Sequence, residues 1–372
     1  AGAYDEMWAG TGGGGTSVDE TNVRPHWRSY LRAIEQLGQE ELVRTQQEVL
    51  RLLKENGVSY NVHGDPNGLQ RPWALDVVPL IISEEEWAVM QAGLVQRAEL
   101  LNLILTDIYG PRELFKRGLL PLELVYSHSG FLRPCDGIRL PGAHQLMVYA
   151  ADLARDPDGQ LRVLSDQAQA PSGAGYALEN RTVMARVLGG MIRDCKVFRL
   201  ANFFRELHAA LTDLAAPRTN APRIVVLTPG PHNETYFEHA YLASYLGYSL
   251  VQGDDLTVHD GKVWLKSLEG LQPVDVILRR VDSRYCDPLE LRDDSRLGVA
   301  GLLEAARRQN VALANPLGSS VLENPGLLAF LPALAQYFLG EELQLPSAAT
   351  WWCGQPKDLD YVLQHLDTLV IK

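Results

Sequence analysis

Three short apolar runs narrow most sharply what this chain can fold into. RIVVL (223–227), VDVIL (274–278) and VALA (311–314) each stop at polar or loop-forming residues, in TPG, RRVD and NPLGSS. Runs of this length and composition, bounded by turn-forming residues, read as buried strands. The segments 235–246 and 297–309 read as helices, YSLV (248–251) as a further strand and LTVHDGKVWLKS (256–267) as a hairpin. Strand–helix–strand alternation predicts a parallel α/β sheet whose polar carboxyl-terminal edge faces a ligand crevice.

The first half has a different texture. GTGGGGTSVDETN (10–22) reads as a flexible loop, since it lacks the preceding strand and the Lys-Ser/Thr pair of a phosphate loop. Apolar residues recur at helical spacing over 24–56, and Gly57 closes that region. VSYNVHGDPNGLQRPWALDVVPLII (58–82) reads as two short strands around an Asp-Pro-Asn-Gly turn. Ser83 caps a helix running to about Ile108, with Glu86 at capping-box spacing. HQLMVYAADLARD and QLRVLSD flank a DPDG turn at 156–159 and form a hairpin, after which a helix begins near Gly175. LAFLPALAQYFLG (328–340) reads as an apolar helix, and DLDYVLQHLDTLVIK (358–372) as a helix and then a strand cut short.

With 372 residues, 46% of them hydrophobic, the chain can bury two or three sizeable units. A net charge of −12 without any Lys/Arg-rich run argues against a nucleic-acid or anionic-membrane surface. Cys135, Cys195, Cys286 and Cys353 are scattered, which argues against structural zinc and a disulfide framework and fits a reducing cytosol. No apolar run is long enough to span a bilayer and no signal-peptide pattern is present, so a cytoplasmic location is expected.

Several residue groups could carry chemistry. Asp152 and Asp166 fall on the two strands of the 144–166 hairpin, an arrangement suited to Mg²⁺ held by few protein ligands plus phosphates. Exposed hairpins also carry acids simply for solubility. PSGAG (171–175) offers backbone N–H groups and the Ser172 hydroxyl to a phosphate, or is only a bend before a helix. Glu179, Asn180 and Arg181 form a solvated face or reach into a cleft. Asn233, Tyr236 and His239 lie near a strand end, where open α/β sheets bind ligands, and Asn315 ends VALAN at the same edge. Arg279, Arg280, Asp282 and Arg284 fall at the end of another strand, where the arginines suit carboxylate or phosphate recognition, with a surface Arg–Asp network as the alternative. His232 and His239 lack the i, i+4 spacing of helical metal ligands. Neither a G-x-S-x-G elbow nor a G-x-G-x-x-G fingerprint after a strand is present, which argues against serine hydrolysis and hydride transfer.

Taken in order, YDEMW, NVHGDPNGLQRPWALDVVPLII, GLVQRAELLNLILTDIYG, PSGAGYALENR, TPGPHNETYFEHAYLASYLG, VDVILRRVDSRYCDPLELRDDSRLGVAGL and NVALANPLGSSVLENP cover nearly the whole chain. Together they resemble the circularly permuted type 2 ATP-grasp family, whose relatives include glutathionylspermidine synthetase-like ligases. The resemblance implies an α/β fold with α+β elements: a permuted ATP-grasp with an acidic β-hairpin subdomain and a parallel α/β substrate-side domain. It implies that ATP phosphorylates a carboxylate and that an amine attacks the acyl phosphate to form an amide, with Mg²⁺ and positioned cations assisting.

Carried onto this chain, the resemblance makes Asp152 the hairpin acid that binds Mg²⁺, with Asp166 beside it. Lys372, in LVIK, matches the lysine that contacts the ATP phosphates, and a glycine-rich loop and adenine-binding residues are expected beyond it. Ser172 and Gly173 would bind the nucleotide, and Arg181 and Arg280 would orient phosphate or substrate. Asn180, Asn233, Tyr236, His239, Asp282 and Asn315 would line a small-molecule or peptide substrate. Family members often read Leu-Glu-Asp-Asn where this chain reads LSDQ (164–167), so Ser165 and Gln167 replace two Mg²⁺ ligands, and Asp166 or Glu179 would have to compensate. The altered hairpin resembles a subgroup fused to an alpha-E domain, which makes an alpha-E or transglutaminase-like protein the expected partner. The expected organisation is a flexible segment 1–22, a helical region with the ATP-grasp hairpin at 23–215, an α/β domain at 216–345, and the start of a nucleotide-gripping subdomain at 346–372. A ligase-like module that binds peptide or nucleotide without turnover, and more distantly a nucleotide-sugar transferase, are the alternative readings.

Overall fold

A computed structural model describes residues 4–9, 22–61, 71–216 and 218–372. The three apolar runs form strands Ile224–Leu227, Val276–Arg279 and Ala312–Ala314, joined by Ser249–Val251. All pair in parallel, with the spatial order Ala312–Ala314, Val276–Arg279, Ile224–Leu227, Ser249–Val251. Side chains alternate across the sheet because the strand period is two. Val225, Leu227, Ile277 and Leu313 therefore join one core with Leu101 and Ile104 of the helix Glu84–Ile108. Val226, Val276, Leu278 and Ala314 join another with Leu207 and Leu211 of the helix Ala201–Asp213. Both faces are covered, which is why the strands read as unbroken apolar runs.

Some elements differ from expectation for local reasons. The hairpin at 256–267 gains a third strand, Gly270–Pro273, whose glycine and proline hide it in the sequence and suit its exposed edge position. The helix expected over 297–309 is confined to Leu302–Arg307. Gly298 lies against the backbone of Tyr285 and Cys286, Gly301 turns left-handed at φ 83°, and the buried Asp287 carboxylate accepts from the Leu303 N–H at 2.9 Å. The helical stretch over 24–56 is two helices, Pro25–Leu37 and Gln39–Glu55, because Gly38 at φ 75° breaks the ladder. Ser83 does cap Glu84–Ile108, accepting from the Glu86 N–H at 3.2 Å, but the Glu86 carboxylate pairs with Arg155 instead of closing a capping box. Helix Pro356–Gln364 forms, whereas LVIK pairs with no strand among the described residues.

The acidic hairpin is Ala150–Arg155 against Leu161–Gln167. Gly159 takes the left-handed turn position at φ 88°, and a Cβ there would meet the Tyr4 ring at 2.6 Å. The Arg24 and Arg155 guanidinium groups both lie over the Tyr4 ring, which packs against the hairpin turn at Gly159. On the hairpin edge, Val163 donates to Pro346 at 2.9 Å and accepts from Ala348 at 2.8 Å. The two short strands expected around the Asp-Pro-Asn-Gly turn pair as Ser59–Tyr60 with Arg71–Pro72. That turn, and the glycine run at 10–21, lie outside the described residues. Among the described residues no helix is long and apolar enough to cross a membrane.

Candidate functional site

Strand periodicity divides the hairpin acids between two faces. Asp152 stands opposite Ser165 and points to solvent. The Ser165 hydroxyl donates to Asp152 Oδ2, and the Gln167 amide donates to Oδ1 at 3.1 Å and Oδ2 at 3.2 Å. Ser165 and Gln167 thus both hold the exposed Asp152 carboxylate. Asp166, one position out of phase, points inward and is 5% exposed. It takes Arg97 Nε at 2.6 Å and Nη2 at 2.8 Å, and the Tyr149 hydroxyl at 2.6 Å. The structure therefore does not bring Asp166 to Asp152: its carboxylate balances a buried guanidinium on the other face of the hairpin. Glu179 does not compensate either, since it is buried and accepts from the Asn56 amide at 2.6 Å.

The strap leaving the hairpin accounts for most of the remaining candidates. Asn315, 2% exposed, accepts from the Met147 and Val148 N–H groups at 2.9 and 2.8 Å and donates to Val148 and Ala168 carbonyls at 2.6 and 2.7 Å. Glu323 Oε1 accepts from the Ala168 and Gln169 N–H groups at 2.8 and 2.6 Å, and burial raises its pKa. Arg279 donates to the Gln169 carbonyl at 2.8 Å, and Arg280 to the Pro171 carbonyl at 2.6 Å. Glu238 Oε1 accepts from the Gly173 and Gly175 N–H groups at 2.7 and 2.8 Å. The carboxyl-terminal edge of the sheet is thus occupied by the chain's own strap. Asn315 and Arg280 are committed to backbone groups and do not line an open substrate edge.

His239 is likewise structural. Its Nδ1 is 2.9 Å from the Thr228 hydroxyl and its Nε2 is 3.1 Å from that of Thr235. Burial, then the nearby Arg280, lowers its pKa from 6.5 to about 2. The folded state keeps His239 neutral while the unfolded chain binds a proton below pH 6.5. Its contribution is complete above that value and is lost as pH falls toward the folded pKa, by up to about 1.4 kcal/mol per pH unit. Urea unfolding at pH 7.5, 6.5 and 5.5 should show this slope in the wild type and a shallower one in His239→Gln. Equal slopes would contradict the assignment.

Asn233 accepts from the N–H and hydroxyl of Thr235, both at 3.0 Å, in a local turn ahead of the helix Tyr236–Leu246. Tyr236 is half-buried in the first turn of that helix. Asn180 accepts from the Trp73 indole at 2.9 Å, and Arg181 donates to the Phe198 carbonyl at 2.7 Å, its pKa lowered by burial. Ser172, Asp282 and Lys372 are exposed. Clefts of about 700 Å³ beside 88–99 and about 610 Å³ between 131–134 and 284–294 are not lined by Asp152, Ser165 or Gln167.

Among the described residues no three His, Cys, Asp or Glu side chains cluster as a metal cage. The hairpin face therefore does not fit an all-protein metal site. It does fit Mg²⁺ anchored by one carboxylate, Asp152, and completed by water and ligand phosphates. Glu238, Glu323 and Arg97 gave no local signal as site-building residues because their partners lie far away in sequence, whereas Arg279, at a strand end, did.

A family model described as circularly permuted ATP-grasp type 2 matches residues 79–372. Uncharacterized protein Rv2567 of Mycobacterium tuberculosis is 44% identical over 362 residues, covering 95% of this chain and 41% of that protein. Uncharacterized protein sll0335 of Synechocystis is 42% identical over 333 residues, covering 89% and 69%. The chain thus spans about two-fifths of the length of the mycobacterial relative. A glutathione synthetase-like effector of Globodera pallida, solved in its apo form, shares the fold with a TM-score of 0.50 at 14% identity, over 82% of this chain and 70% of that one.

Proposed function

The chain belongs to the circularly permuted ATP-grasp type 2 family, and on that premise we propose that it serves an ATP-dependent carboxylate–amine ligase acting on amino-acid-like or peptide substrates. The observation that carries this reading is the hairpin face, where Asp152 is exposed with Ser165 and Gln167 held to it, while Asp166, Glu179 and Glu238 are committed inside. When bound, MgATP supplies the phosphoryl group that activates the substrate carboxylate for attack by an amine, giving amide, ADP and phosphate. Asp152 holds the metal end of the nucleotide, and Ser172 presents an exposed hydroxyl from the loop. Lys372 neutralises phosphate charge. Arg280 acts by holding the strap at Pro171, and Arg181 by holding the backbone at Phe198, so neither needs to touch the nucleotide.

The full-length protein, given ATP, Mg²⁺ and mixed amino acids or peptides, should release ADP, and Asp152→Asn should lower that rate by about a hundredfold or more. No ADP release above background from the wild type would overturn the proposal. A second reading, a ligase-like module that binds nucleotide or peptide without turnover, is favoured by the single carboxylate at the hairpin face. Calorimetric binding without phosphoryl transfer would select it.

A further inference from the structure

The loop at 171–175 is held by an anion that the chain supplies itself. Glu238, fully buried on the helix Tyr236–Leu246, satisfies the Gly173 and Gly175 N–H groups with one oxygen and meets Arg280 Nη2 at 3.3 Å with the other. Arg280 also grips the Pro171 carbonyl, and its Nε is buried without a partner. A Cβ at Gly175 would lie 2.8 Å from Glu238 Cγ, and Gly173 sits at φ 115°, so the backbone is shaped around this carboxylate. N–H groups at a helix start, beside a guanidinium, form the arrangement that elsewhere binds phosphate or carboxylate. Here Glu238 fills it, and the loop turns Ser172 outward to solvent. Only the short strap 168–170 separates this loop from Gln167 on the hairpin face.

We infer that Glu238 is a positioning residue for the nucleotide site: an internal anion through which the sheet-side helix sets where Ser172 and the hairpin face stand. The inference rests on the ligase reading, because it needs a nucleotide at that face. Removing the carboxylate leaves the part-buried Gly173 N–H, the buried Gly175 N–H and a buried guanidinium without an anion, and a small carboxylate from solution can take its place.

The test uses the full-length protein as wild type, Glu238→Ala and Glu238→Gln, with MgATP affinity and Tm measured in formate and in chloride of equal ionic strength. Glu238→Ala should bind MgATP about tenfold more weakly. Formate should restore most of that affinity and raise its Tm, while leaving the wild type unchanged. Glu238→Gln keeps the side-chain volume, so it should fold, bind weakly and ignore formate. If Glu238→Ala does not fold, Glu238→Gln binding as tightly as the wild type overturns the inference. Formate raising Tm without restoring affinity also overturns it and leaves Glu238 merely structural. Wild type that fails to bind MgATP at all overturns the ligase reading, and the positioning role with it.

Discussion

Asp166→Ala should destabilise the protein by about 3–5 kcal/mol, although Asp166 reads in the sequence as one of two exposed hairpin acids. The loss follows from what stays behind. Arg97 is 0% exposed, and its Nη1 already has no partner, so removing the carboxylate strands a buried guanidinium. The Tyr149 hydroxyl loses its acceptor, and the Ser347 hydroxyl at 3.0 Å from Arg97 brings no compensating charge. Against a typical domain stability of about 5–15 kcal/mol, that loss is a large share of the whole. Replacing both charges, Arg97→Met with Asp166→Leu, should cost much less, because a buried ion pair is often no more stabilising than apolar groups that fill its space. Urea midpoints for the two variants provide the check. A single variant within about 1 kcal/mol of the wild type would show that the pair is not the buried anchor described here.

Asn315→Ala carries the second large effect. One side chain satisfies two N–H groups and two carbonyls, tying 147–148 and 168 to the end of the strand Ala312–Ala314. Truncation orphans these groups in a largely buried place and should cost at least about 3 kcal/mol. Asn315→Asp keeps the acceptor but sets a second, anionic oxygen against the Val148 and Ala168 carbonyls, so it should cost at least as much. Amide exchange gives the local reading: the Met147 and Val148 N–H groups should exchange much faster in Asn315→Ala while the hairpin turn at 156–159 is unchanged. Uniform acceleration across the chain would mean global destabilisation without a local clip.

The sequence revealed local chemistry well and long-range pairing poorly. The hairpin was legible because Asp-Pro-Asp-Gly at 156–159 imposes the turn. Ser83 was legible as a cap because its partner is three residues away. The sheet was legible because four apolar runs alternate with helices or loops. Asp166 was misplaced because a one-residue phase difference exchanges the faces of a strand, and only the tertiary structure shows which face meets Arg97 across 69 positions. The same holds for PSGAG. Its glycines announce an anion-binding loop, but the anion is Glu238, supplied by a helix 63 residues beyond Gly175. Arg280 and Asn315 were recognised as special at strand ends, yet a strand end that feeds a strap resembles one that feeds a ligand until the strap is in view.

On the proposed function, the exposed hairpin face anchored by Asp152 holds the metal end of a nucleotide. Titrating Mn²⁺–ATP into the full-length protein and following water-proton relaxation tests it most directly. The wild type should show saturable enhancement, and Asp152→Asn should lose most of it while retaining its urea midpoint, because Asp152 is exposed and anchors no core contact. Equal enhancement in the wild type and Asp152→Asn would place the metal away from Asp152.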